Sequence, residues 1–174
     1  MLKISLALAA ALLLSPQMAS ATPIEQIECV YDAVPKEVHV VIDSAAMQTG
    51  LPAVVEKAST TALIGCMTTY PWSQTDSENS TRYFMMRAVS ENSEKAMPAD
   101  HAKIVQEYFT DNMTEFVEYN NFLDADPDRI TADLAERGLS ATDGDELKNA
   151  ALYLYWLVTI QQLRNDFVAG KLRN

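Results

Sequence analysis

Apolar residues recur every three or four positions through most of this chain, and only 5 of its 174 residues are glycine. That period is the repeat of an α-helix with one buried face, and the Gly-rich turn punctuation of an all-β chain is missing. The expectation is an all-α domain of about six or seven helices.

Ile24, Ile27, Val30, Tyr31 and Val34 mark a first helix that ends before Pro35, whose ring removes a backbone donor. Val38, Val41, Ile42, Ala45 and Ala46 carry the same period to Gly50, although residues 37–43 are β-branched and read as well as a strand. Pro52 suits the first turn of a third helix, running through Val55, Ala58, Ala62, Leu63 and Cys66. Residues 70–79 are polar and read as a loop. A fourth helix is expected over 78–96, with Tyr83, Met86, Val89 and Ser90 on one side.

After Pro98 comes the clearest stripe, Ile104, Val105, Tyr108, Phe109, Met113, Phe116 and Val117, which is that of an amphipathic helix laid on a core. A short helix holding Ile130 and Leu134 closes at Gly138. The last helix runs from about residue 143 to 169. Its middle, residues 150–160, is apolar almost all round, the pattern of a helix surrounded by others. A central C-terminal helix is therefore expected.

The first 21 residues have the order of a secretory signal: Lys3, the Leu/Ala run Leu6–Leu14, Pro16, then Ala19-Ser20-Ala21. The expectation is cleavage between Ala21 and Thr22, leaving residues 22–174 as a single domain in the periplasm or the medium. The apolar run is shorter than the roughly 20 residues a membrane span needs, so no transmembrane anchor is expected. Lys3 is the only charge in that segment, and its removal takes the net charge from −11 to −12. So acidic a chain repels phosphate backbones, which argues against nucleic-acid binding. It suits solubility or a basic partner.

Cys29 and Cys66 are the only cysteines. In an oxidising compartment such a pair is most simply a disulfide. It would close a loop of about 38 residues, worth on the order of 3–4 kcal/mol in the chain-entropy treatment.

Few residues suggest chemistry. Asp124, Asp126 and Asp128 have the one-three-five spacing of a calcium loop, but Arg129 stands where its glycine belongs and Ala135 where its bidentate glutamate belongs. Capping of a helix that begins at Pro127 accounts for them more simply. No metal and no cofactor are expected. His39 and His101 are the only imidazoles, and Asp43 follows His39 by four residues, a weak candidate dyad. Asn79-Ser80-Thr81 and Asn112-Met113-Thr114 match the glycosylation sequon by composition alone.

Trp72, Tyr83, Met86, Tyr153 and Trp156 belong to aromatic and methionine clusters that could line an inter-helix cavity or simply fill the core. The expected function is non-catalytic binding of another envelope or secreted protein, in the manner of inhibitors and immunity proteins. Two alternatives stand beside it: a carrier of a small apolar ligand, and a hydrolase-type enzyme whose acidic and histidine residues meet only in the fold.

Overall fold

A computed structural model of the chain describes residues 23–118, 127–139 and 144–171. Within these, nine helical segments follow one another: α1 (Pro23–Ala33), α2 (Lys36–His39), α3 (Ser44–Thr49), α4 (Ala53–Thr69), α5 (Gln74–Ala96), α6 (Ala99–Asp111), α7 (Met113–Glu118), α8 (Pro127–Glu136) and α9 (Gly144–Val168). The fold is all-α. The larger number of segments comes from two breaks inside expected helices. After α2 the chain turns at Val40 and Val41, and Asp43 restarts it by accepting from the Ala46 amide at 2.7 Å. Residues 37–43 are thus helix and turn, with no strand. The stripe from Ile104 to Val117 is likewise divided at Asn112, whose side chain donates back to the Tyr108 carbonyl at 2.9 Å.

The fourth expected helix starts earlier than residue 78. Ser73 caps it, accepting from the Asp76 amide while Asp76 accepts from the Ser73 amide at 2.8 Å. This reciprocal capping box satisfies two orphan donors and pulls residues 74–77 into α5. At the far end of α8, Gly138 takes φ 113°, a conformation that disfavours a side chain, and closes the helix as expected.

α9 runs between two apolar clusters. Its C-terminal half gives Trp156, Leu163 and Phe167 to a cluster with Ile27, Val30, Val55, Phe84 and Val89 of α1, α4 and α5. Ala150, Tyr153, Leu154 and Val158, from its N-terminal half and middle, go to a second, with Val105, Tyr108, Phe116, Ile130 and Leu134 of α6, α7 and α8. An almost uniformly apolar helix is stable here because neighbours cover it on several sides.

Cys29 of α1 and Cys66 of α4 form a disulfide with 6.0 Å between their Cα atoms. It matters locally, since α4 has only Val55, Ala62 and Cys66 fully buried. Polar side chains between the helices are tied to backbone: buried Ser80 donates to the Ile27 carbonyl at 2.8 Å, and half-buried Asn92 to the carbonyls of His39 and Ile42, both at 2.8 Å. Asn79 is fully buried and donates to the Lys171 carbonyl at 2.7 Å, so its sequon serves packing in the folded chain. Among the described residues no helix is long and apolar enough to cross a membrane.

Candidate functional site

Two surface grooves distinguish the molecule, one apolar and one polar. The apolar groove lies beside the disulfide, between α4 and the α1–α2 corner, and measures about 700 Å³. Val54, Lys57, Ala58, Thr61, Ala62, Gly65, Cys66 and Thr69 of α4 form one wall, and Cys29, Ala33, Pro35 and Val38 the other. The α4 positions fall at three-to-four spacing, so they occupy one face of the helix. That face is cut from small residues, and Gly65 has nothing within 4 Å of where a Cβ would stand. The result is a wide channel open to solvent.

Exposed large apolar side chains are concentrated in the part of the sequence that builds this channel. Eight large hydrophobic residues are exposed among those described, and six of them, Ile24, Val40, Val41, Val54, Ile64 and Met67, lie between residues 24 and 67. Val54 and Ile64 on α4 are 54% and 59% exposed. Of these six, Val54 lines the groove, whereas Ile64 and Met67 lie on other sides of α4. The helices α1, α2 and α4 expose Glu25, Asp32, Glu37 and Glu56 against Lys36 and Lys57, so their exposed charge is net acidic, while Lys57 is the charged residue that lines the groove itself.

The polar groove runs between α5, α6 and α9 and measures about 370 Å³. At one end Glu28 holds two guanidinium groups, Arg164 at 2.6 Å and Arg87 at 3.1 Å, and accepts from the Tyr83 hydroxyl at 2.9 Å. Burial alone would raise the Glu28 carboxyl, but the hydrogen bonds from Tyr83 and Arg164 and the charges of both arginines hold it below its usual range. Burial pushes the Tyr83 hydroxyl up, so it stays protonated and able to donate. At the other end Gln106 donates to Glu94 at 3.1 Å and to the Tyr153 hydroxyl at 2.8 Å. Tyr153 is pushed up to about 12, chiefly by burial. Phe109, Leu157 and Ile160 line the groove between the ends.

The structure disperses the residues singled out from sequence. Tyr83 and Tyr153 stand on the polar groove, each buried with its hydroxyl bonded. Trp72, Met86 and Trp156 pack in the first apolar cluster, Trp72 stacked on Tyr70 and edge-on to Phe167. The indole N–H groups of Trp72 and Trp156 are buried without a hydrogen-bond partner. His39 is buried between the rings of Tyr31 and Phe84, its Nε2–H donating to the Val34 carbonyl at 3.1 Å. Desolvation, with the nearby Lys36 charge, lowers its pKa below the ordinary value. Asp43 serves α3 as its cap. His101 stands 3.7 Å from Glu146, joining α6 to α9, a pairing that the sequence does not suggest. Asp124 and Asp126 lie outside the described residues, while Asp128 sits exposed in the first turn of α8.

Comparison with protein-family models, with curated proteins and with solved structures finds no match to this chain.

Proposed function

We propose that this chain is an exported, non-catalytic binding module, and that its partner is a protein that lays an amphipathic helix in the groove along α4. The observation that supports this most directly is the open apolar channel along α4, with Val54 exposed on its wall. Helices dock by placing residues at three-to-four spacing into such a channel, and small residues along α4 let a partner's backbone approach closely. The net acidic charge exposed by α1, α2 and α4 favours a partner with basic flanks and would steer its approach. Export follows from the three-part order of residues 1–21 and accords with a disulfide, which persists in oxidising compartments.

A small apolar ligand is the second reading, because 700 Å³ falls within the size range of ligand cavities. Against it, such cavities enclose most of their ligand, and this channel is open along its length.

The test is capture from the organism's envelope extract with the wild-type protein, with Val54→Asp and Thr61→Arg in the groove wall, and with Lys103→Glu on α6. All three positions are exposed, so the fold should tolerate them within about 0.5 kcal/mol. A protein retained by wild type and Lys103→Glu but lost with both groove variants, and cross-linked at Thr61 through a helix with basic flanks, is the expected result. Equal retention by all four, or recovery of a lipid and no protein, would contradict it.

A further inference from the structure

The polar groove has a dipolar layout that the docking of a protein helix elsewhere does not use. α5 and α9 line it with antiparallel stripes: Tyr83, Arg87 and Glu94 on one, Tyr153, Leu157, Ile160 and Arg164 on the other. The chain itself fixes both ends. Arg87 and Arg164 meet at Glu28 and Tyr83, and Glu94 meets Gln106 and Tyr153.

At the basic end two guanidinium groups share the Glu28 carboxylate, and Glu91, 3.6 Å from Arg87, brings the charge there to balance, so this end attracts an anion through its unengaged N–H donors and not through net charge. Each guanidinium has five N–H donors in a planar fork, more than Glu28 and Tyr83 can engage. The Nε–H of Arg164 is buried with no hydrogen-bond partner among the described residues. A buried donor left unmade is unfavourable, and a carboxylate entering along the groove supplies the missing acceptor with the geometry that arginine matches best. A phosphate dianion suits the site less. Glu91 and Glu94 lie in the same groove, and the chain carries a net charge of −11. A ligand that brings its own positive charge for the acidic end escapes that repulsion.

The spacing sets the ligand's length. Arg87 and Glu94 are seven residues apart on α5, about 10 Å along the axis. An extended peptide advances roughly 3.3 Å per residue, so three residues place an ammonium and a carboxylate that far apart. Phe109, Leu157 and Ile160 offer the middle residue an apolar wall. We propose that the groove between α5, α6 and α9 binds a short zwitterionic peptide, its carboxylate on Arg164 and Arg87 and its ammonium at Glu94.

The experiment is calorimetric titration of the purified protein with Ala-Leu-Ala, its N-acetyl form and its C-terminal amide, with amide chemical-shift mapping of the free tripeptide. The free peptide should bind saturably and shift resonances of α5, α6 and α9. Blocking either end should weaken it by roughly tenfold, the usual worth of one charge-assisted hydrogen bond. Glu94 is exposed, so Glu94→Gln keeps the fold; it should weaken the free peptide by a similar factor and leave the N-acetyl form unchanged. Equal affinity of free and blocked peptides, shifts confined to α4, or no saturable binding at millimolar peptide would overturn the proposal.

Discussion

The two apolar clusters that share α9 are built on opposite plans. The cluster of α6, α7 and α8 closes over its apolar residues, and its rim is polar. Arg137 pairs with Asp111 at 2.8 Å, Arg129 with Glu115 at 2.5 Å, and Tyr108 donates to Asp133 at 2.9 Å. The cluster of α1, α4 and α5 is stapled by Cys29–Cys66 and leaves Val54, Ile64 and Met67 in solvent along α4. Exposed ion pairs contribute little each, so the first of these regions depends on burying what it has. A disulfide restrains the unfolded chain without burying anything further. The stapled region can therefore keep an apolar face uncovered.

The largest effect expected from this contrast follows breaking the staple. Cys29→Ser with Cys66→Ser should cost about 2–4 kcal/mol of unfolding free energy by denaturant titration. Because α4 has three buried residues to hold it, amide hydrogen exchange should rise first in α1 and α4 and last in α6 and α8. A uniform rise across both regions would break the comparison.

Acid should act more gently, and on the stapled region first. His39 has its folded pKa lowered, so the unfolded chain binds the proton more readily. Stability is then full above the ordinary value of 6.5 and declines as pH falls below it. Glu28, also lowered, contributes stability that is present above 4.5 and lost as pH falls further. Thermal melts from pH 7.5 to 3 should thus fall in two stages, and His39→Gln should remove the upper one. A flat profile down to pH 5 in the wild-type protein would contradict the buried neutral imidazole.

Much of the architecture was legible because it is local. The stripe that includes Val105, Tyr108 and Phe116 does face a core, and the apolar run of residues 150–160 does sit among several helices. The breaks were not, since they depend on single caps: Asp43 holding the Ala46 amide, and Ser73 with Asp76 closing a box that a polar composition disguises as loop. The apolar groove left a faint trace in sequence: its α4 wall is largely small residues, Ala58, Thr61, Ala62 and Gly65, with Val54 apolar outside the core stripe. The polar groove left none. Glu28 lies 59 residues from Arg87 and 136 from Arg164, and only the packing of three helices brings them together.

Gly65 offers the most direct test of the proposal that the uncovered face of α4 is a binding surface. It lies inside a helix, where glycine is unfavourable, and a Cβ there would meet nothing within 4 Å. Gly65→Leu should raise stability by about 0.5–1 kcal/mol through helix propensity. It should also fill the channel and lower affinity for the captured partner by at least roughly tenfold, as loss of a central contact does. Greater stability with weaker binding is the predicted result. Greater stability with unchanged binding would place the partner elsewhere and contradict the function proposed for this face.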